Sequence, residues 1–368
     1  MSFFFIRVET EDGTVGYGEA CDSFGCSYAS VLATIVTDVY APLLIGAPVV
    51  SAPAIAERLT LATRRRLGTG WAAGQARAAI ELAIWDILGK RADSSVSHLI
   101  GRHRDRVEVY ASIGFLEEGP AQQHLDGITP LLERGVAKVK TRIGPQWRPD
   151  LATLADLRKL LGDDVEMMID GSETFTVATA SIIADALADL GITWFEEPIP
   201  QPAHAGIAEL AGRSAVPIAY GEHMYGLTEA IDAMRNGELL VLQPDASTCG
   251  LSEARAMAAA AAGFGVRVVP HACAGPIALA ANVHLAATVP AIRMVEYPPV
   301  LAGVWKHFGR GADLGIEAVV DGHIPVPTEP GLGVELDEAA AESSPYQRPG
   351  TRVAGSVGGI GDRFTGDR

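Results

Sequence analysis

The chain has 368 residues, 48% of them hydrophobic and 20% charged, with a formal net charge of −16 at pH 7. That length holds one large barrel plus a smaller domain, and the balance is that of a globular protein in water. The acidic excess argues against general binding to nucleic acid or to an anionic membrane, although a local cation cluster can still receive an anionic substrate.

Residues 3–20 read as a hairpin: Phe3–Val8 forms one strand, Glu11-Asp12-Gly13 the turn, and Val15–Glu19 the return. The apolar start is interrupted by Arg7, Glu9, Glu11 and Asp12 too soon for a secretion signal. Ala29 to about Lys90 is helical in pattern. Ile80, Ile84, Ile87 and Leu88 share one face, and Gly89 sits where a C-cap is expected. A hairpin followed by helices, without strand–helix alternation, indicates an α+β module over residues 1–106.

From Val107 the pattern alternates. Val107–Ser112 is the first strand of a barrel occupying residues 107–320. Helices are expected at Leu151–Leu161 (stopped by Gly162), Ser181–Leu190, Leu227–Asn236 and Ser252–Gly263. Residues 321–344 return to the N-terminal module, and 345–368, rich in Gly, Arg and Asp, read as a flexible tail. Met257–Val269 is the most apolar run, but Arg267 breaks it and it is too short to span a bilayer. Cys21, Cys26, Cys249 and Cys273 form no CxxC pair, so reduced thiols in a cytoplasmic enzyme are expected. Cys21 and Cys26 could reach a substrate from a loop.

Seven polar residues recur through the barrel region: Lys140, Asp170, Glu196, Glu222, Asp245, His271 and Glu296. Their intervals are 30, 26, 26, 23, 26 and 25 residues, and each follows a short strand-like run. That interval is about one βα unit. In a (β/α)8 barrel the strand C-termini open onto one face, so residues distant in sequence converge on one pocket. Asp170, Glu196 and Glu222 then lie on neighbouring strands about 4.8 Å apart. Three carboxylates so close cannot all ionise without a cation, and hard oxygen donors suit Mg2+, with Mn2+ as the alternative. Glu197 points the other way, to the wall or a salt bridge.

The strings Val139-Lys140-Thr141-Arg142-Ile143-Gly144, Ile169-Asp170-Gly171-Ser172-Glu173-Thr174, Trp194-Phe195-Glu196-Glu197-Pro198, Gly221-Glu222-His223, Gln243-Pro244-Asp245 and Pro270-His271 resemble the mandelate racemase/muconate lactonizing enzyme family of the enolase superfamily. Ala83–Lys90 and Gly13–Ala20 resemble its cap region. The likeness covers roughly residues 3–340, and the Asp245–His271 pair points to the mandelate racemase subgroup. It implies a (β/α)8 TIM-type barrel capped by an α+β domain built from both chain ends, and a homo-oligomer. It also implies Mg2+ on Asp170, Glu196 and Glu222, and removal of the proton alpha to a carboxylate on a small anionic substrate. Two departures stand out. Lys140-Thr141-Arg142 replaces the usual Lys-x-Lys, and the family's first N-terminal strand with its specificity loop is expected to be missing here.

A divalent ion on the substrate carboxylate offsets the charge that appears as the alpha proton leaves. Lys140 and Arg142 alternate with Thr141, so both cations face one side, where Lys140 can meet a carboxylate oxygen. Glu296 could donate a hydrogen bond there if protonated. His271 is the expected base, with Asp245 fixing its tautomer. Ser172 and His223 are expected to line the pocket, while His98, His103 and His284 read as surface or helix residues. Arg142 stays protonated and is a poor base. One histidine suffices for dehydration, so an aldonate or aldarate dehydratase giving a 2-keto-3-deoxy acid is the favoured expectation. A racemase or epimerase using Lys140 as second base, a cycloisomerase, and a non-catalytic metal-binding relative are the alternatives. Substrate choice is expected to lie near Cys21–Tyr28 and Trp305–His307.

Overall fold

The computed structural model describes residues 2–20 and 28–346. Cys21, Cys26 and the expected tail from residue 347 lie outside the described residues.

Strands β1 (Phe4–Glu9) and β2 (Val15–Ala20) form an antiparallel hairpin in the register Phe4 to Ala20. Gly13, at φ +81°, makes the turn. β2 lies hard against the helix Trp71–Arg91. A Cβ at Gly16 would stand 2.2 Å from the Ala83 carbonyl oxygen, and one at Gly18 only 1.8 Å from that of Ala79. Helices Ala29–Ile35 and Ala52–Thr63 complete this module around Leu32, Tyr40, Leu59, Ile80 and Ile87.

Gly89 is not the helix stop. The helix runs on to Arg91 with Ala92 as its C-cap. Gly89 instead lets another segment approach: an added Cβ would meet Gly331 Cα at 2.6 Å. A glycine demanded by close packing and one demanded by a cap look the same in sequence.

The barrel strands are β3 (Arg106–Phe115), β4 (Lys138–Arg142), β5 (Glu166–Asp170), β6 (Phe195–Glu196), β7 (Ile218–Tyr220), β8 (Val241–Leu242), β9 (Arg267–Val268) and β10 (Met294–Tyr297). They pair in parallel in the order β10-β3-β4-β5-β6-β7-β8-β9. A parallel bridge between Val268 and Ile292 and a hydrogen bond from Glu296 N to Pro270 O close the ring. This is a (β/α)8 barrel with an N-terminal capping module. Its interior is filled by Tyr110, Met168, Trp194, Ala219, Val241, Val269 and Met294, so the barrel is a packed core and not a channel. Helices including Trp147–Leu161, Val177–Asp189, Leu227–Arg235 and Leu251–Phe264 cover the outside. Gly162, at φ +75°, ends the first of these. Among the described residues no helix is long and apolar enough to cross a membrane.

After β10 come β11 (Gly309–Gly311), β12 (His323–Pro325) and β13 (Val334–Leu336). β12 adds antiparallel to the start of β3, and β13 pairs with β11. Between them, Leu332 N donates to Asp86 on the long cap helix at 2.8 Å, and Val96 N donates to Gly331 O at 2.8 Å. The C-terminal stretch therefore touches both the barrel wall and the cap.

Candidate active site

The C-terminal ends of the barrel strands carry the polar residues singled out by their spacing. Parallel register sets Arg142 opposite Asp170, and Asp170 opposite Glu196, so three charges stand side by side across β4, β5 and β6. Glu222 follows β7 by two residues. Asp245 and His271 each lie three residues past β8 and β9, and Glu296 lies within β10. All of these, with Lys140, are buried.

Cations and carboxylates are interleaved. Lys140 Nζ bonds Glu196, lies 2.9 Å from Glu296 Oε1 and 3.9 Å from Asp170 Oδ2. Arg142 Nε donates to Asp170 Oδ2 at 2.9 Å, and its other end stands 3.8 Å from Glu296. Burial opposes the charge on Lys140, but Glu196 and Glu296 overcome that and raise its pKa well above the ordinary lysine value. Glu296 is correspondingly ionised. Burial pushes its carboxyl up, yet Lys140, His271 and Arg142 together pull it below the usual range. In this arrangement the cations across the barrel outweigh its acidic neighbours, which disfavours the hydrogen-bond donor expected of Glu296 if protonated. For Glu196 the balance tips the other way. Burial and the carboxylates of Asp170, Glu296 and Glu222 outweigh Lys140 and push it up to about 7.

Two of the three carboxylates are oriented by hydrogen-bond donors. Asp170 Oδ1 accepts both N–H and Oγ–H of Ser172, at 2.7 and 3.1 Å. Glu196 Oε2 accepts Trp194 Nε1 at 3.0 Å and Gln243 Nε2 at 2.6 Å. Neither Trp194 nor Gln243 was assigned a role from sequence. The available signal was parity: Trp194 precedes Glu196, and Gln243 precedes Asp245, by two residues on the inward side of a strand. Glu222 differs. Its buried Oε1 accepts no hydrogen bond from the described residues, while Oε2 lies 3.5 Å from His271 Nε2.

His271 Nδ1 is 2.8 Å from Asp245 Oδ2, and its Nε2 stands between Glu222 and Glu296 at 3.5 and 3.7 Å. Burial alone would lower this histidine; the carboxylates of Glu222 and Glu296 and the Asp245 hydrogen bond outweigh it and raise it to about 10. Asp245 Oδ1 in turn accepts Ser247 N, Ser247 Oγ and Asn282 Nδ2.

His223 faces sideways. Its Nδ1 is 3.0 Å from Glu197 Oε1, its Nε2 is 3.8 Å from Glu222 Oε1, and its ring stacks on Trp71. Glu197 is a buried salt-bridge partner of His223. Among the described residues, Glu173, Glu197 and His223 form the group whose metal-ligating atoms all lie within 4.8 Å of one another. Asp170 and Glu196 spend oxygens on Arg142 and Lys140 in this arrangement. Trp305 is buried, donates to Ala274 O at 2.9 Å and packs edge-on against Tyr297, so it braces the loop that follows His271. His284 is on a helix but fully buried, with Nδ1 accepting Ser97 N–H and Nε2 bonded to Leu332 O.

Residues 1–101 match the pattern of the mandelate racemase/muconate lactonizing enzyme N-terminal domain, and residues 128–340 match the enolase C-terminal domain-like pattern. The chain belongs to the mandelate racemase/muconate lactonizing enzyme family of the enolase superfamily. Within this family it is 31% identical over 344 residues to the D-galactarolactone cycloisomerase of Agrobacterium fabrum, covering 91% of this chain and 89% of that one. It is 30% identical over 340 residues to the arabinonate dehydratase of Saccharolobus solfataricus, covering 91% and 88%. A racemase from Streptomyces coelicolor solved with bound magnesium superposes with a TM-score of 0.83 at 27% identity, covering 92% of this chain and 90% of that one. This member of the family is thus an enolase-superfamily lyase or isomerase.

Proposed function

We propose that the chain removes the proton alpha to the carboxylate of a sugar acid and expels the beta hydroxyl, as an aldonate or aldarate dehydratase giving a 2-keto-3-deoxy acid. The observation that carries this reading is the buried His271–Asp245 pair at 2.8 Å, with Nε2 aimed across the strand ends at the carboxylates. Asp245 holds Nδ1, so the proton moves at Nε2. One imidazole can take the alpha proton and return it to the departing hydroxyl.

Asp170, Glu196 and Glu222 are the residues that would hold a divalent cation, although in this arrangement their ligating atoms do not all lie within 4.8 Å of one another as those of Glu173, Glu197 and His223 do. The donors are hard oxygens, Ser172, Trp194 and Gln243 hold two of the carboxylates, and a buried Glu222 oxygen accepts no hydrogen bond from the described residues. When bound, Mg2+ or Mn2+ would neutralise these carboxylates, relaxing Glu222's hold on the His271 proton, and stabilise negative charge on the substrate carboxylate. Lys140 and Arg142 supply fixed positive charge beside that carboxylate. Lys140 is engaged by Glu196 and by Glu296, which favours an electrostatic role over that of a second base, and so favours dehydration over racemisation. Ser172 clamps Asp170, and His223 packs behind Glu222.

Cycloisomerisation is the second reading, favoured by the likeness to the galactarolactone cycloisomerase, because it begins with the same proton removal. Incubation with a panel of aldonates, aldarates and their lactones, with products identified by NMR, tests both. Release of water to a keto acid supports dehydration, and ring opening or closure at constant mass supports cycloisomerisation. No turnover across a broad panel with Mg2+ would overturn the proposal.

A further inference from the structure

Behind the His271–Asp245 pair stands Asn282, fully buried on the helix Pro276–Thr288. Its two amide atoms face three targets. Nδ2 donates to Asp245 Oδ1 at 2.9 Å and also to Ala278 O at 3.2 Å, while Oδ1 accepts the backbone N–H of Ala246 at 3.0 Å. This arrangement fixes which end of the amide is which, because a reversed amide would set oxygen against oxygen and N–H against N–H.

The division of labour at Asp245 follows from these contacts. One oxygen, Oδ1, is saturated by Ser247 N, Ser247 Oγ and Asn282 Nδ2 at 2.6 to 2.9 Å. The other, Oδ2, is left for His271. Ser247 lies two residues away, on the same short turn as Asp245, and moves with it. Asn282 comes from a separate helix and ties that turn to the barrel wall. The helix is itself pinned at its start: Glu19, from strand β2 of the cap, accepts the N–H groups of Gly275 and Ala278 at 2.6 and 3.0 Å.

We propose that Asn282 is a positioning residue of the His271–Asp245 pair: its amide donor holds the Asp245 carboxylate so that Oδ2 faces imidazole Nδ1. The inference rests on His271 acting as the base, but its structural content does not need the substrate to be known. Outer hydrogen-bonding partners of metal-site ligands commonly cost about 10- to 100-fold when removed, and a loss of that order is the expected result at Asn282. Its effect is on kcat, with KM and cation affinity little changed, because it touches neither the substrate face nor Asp170, Glu196 or Glu222.

Two variants separate positioning from mere support of the turn. Asn282→Leu has similar volume and neither donor nor acceptor. Asn282→Asp keeps the acceptor for Ala246 N–H and loses the amide donor. In the resting enzyme the His271 Nδ1–H, 2.8 Å from Asp245 Oδ2, is expected to give a low-field imidazole proton signal in NMR, to be assigned by its loss in His271→Asn. The expected result is that both variants fold, shift that signal upfield or broaden it by exchange, and lower kcat about 10- to 100-fold. For Asn282→Asp the kcat deficit grows as pH rises, because a protonated acid still donates to Asp245 and an ionised one repels it. If Asn282→Asp keeps both the signal and kcat within about twofold across that range, the amide donor does nothing for the pair and the inference is overturned. If no substrate is turned over by any form, the dehydratase reading fails while the NMR signal still decides the role of Asn282.

Discussion

The imidazole of His271 and the carboxylate of Asp245 form a buried pair 2.8 Å apart across the ends of β8 and β9, which leaves Nε2 as the nitrogen that can exchange a proton. Asp245→Asn keeps the shape but offers Nδ1 an amide that can present the wrong atom. Activity on the substrate found by screening is expected to fall roughly 10²- to 10⁴-fold, and His271→Asn to abolish it, with unchanged circular dichroism. Near-normal turnover by either variant would remove His271 from its role as base.

Cation binding is expected to depend on Glu222, whose buried Oε1 finds no hydrogen-bond donor among the described residues. Titration with Mn2+ followed by electron paramagnetic resonance should give one tight site in the parent chain. In Glu222→Gln that site should weaken by at least about tenfold. Chelation should stop turnover, and added Mg2+ should restore it. Unaltered Mn2+ affinity in Glu222→Gln would place the ion elsewhere, with the Glu173–Glu197–His223 group as the place to look.

Lys140 is the hub of the charge network, so its removal leaves Glu196 and Glu296 facing one another without the shared cation. Lys140→Met is expected to cost about 3–5 kcal/mol in urea unfolding, as for other broken buried pairs, and to abolish activity. A loss below about 1 kcal/mol would mean that water or protonation replaces the lysine charge.

Acid stability should report His284. Burial lowers its pKa from 6.5 to about 4, with the Arg102 charge adding to the effect and the hydrogen bond to Leu332 O opposing it. The unfolded chain therefore binds the extra proton first. This contribution is intact above pH 6.5, where neither state is protonated, and is lost as pH falls from 6.5 towards 4. At about 1.4 kcal/mol per unit the whole window is worth about 3 kcal/mol. Urea midpoints at pH 7 and pH 5 should differ less in His284→Gln than in the parent chain; equal differences would assign the acid sensitivity to other groups.

Gly18→Ala tests the cap packing. The new methyl would fall 1.8 Å from the Ala79 carbonyl oxygen, which belongs to a helix backbone and has little freedom to move away. Overpacking of this kind typically costs about 1–3 kcal/mol. A variant with unchanged thermal midpoint would show that hairpin and helix separate easily.

The barrel was legible because connectivity fixes it: a strand, a turn and a helix consume a nearly constant length, and the spacing of Lys140 through Glu296 records that length. Strand extents were less legible. β6, β8 and β9 are only two residues long as paired segments, with Glu196 ending β6 and with Asp245 and His271 each three residues past β8 and β9. The partners that aim the charges were mostly invisible. Asn282 meets Asp245 across 37 residues and Glu19 meets Gly275 across 256, and no local pattern encodes such meetings. The charge environment of Glu296 is hidden for a related reason: its sequence neighbours say nothing of the lysine and arginine brought across the barrel.

Glu19 carries a consequence for anyone remodelling this enzyme. Its buried carboxyl, pushed up to about 8 mainly by burial, is a cap residue seated in the barrel beside the start of the helix that bears Asn282. Grafting a foreign lid onto this scaffold to change its diet of substrates would therefore also replace an anchor of the proton-transfer machinery. Chimeras that preserve an acid at that position should remain competent more often than those chosen for pocket-facing loops alone.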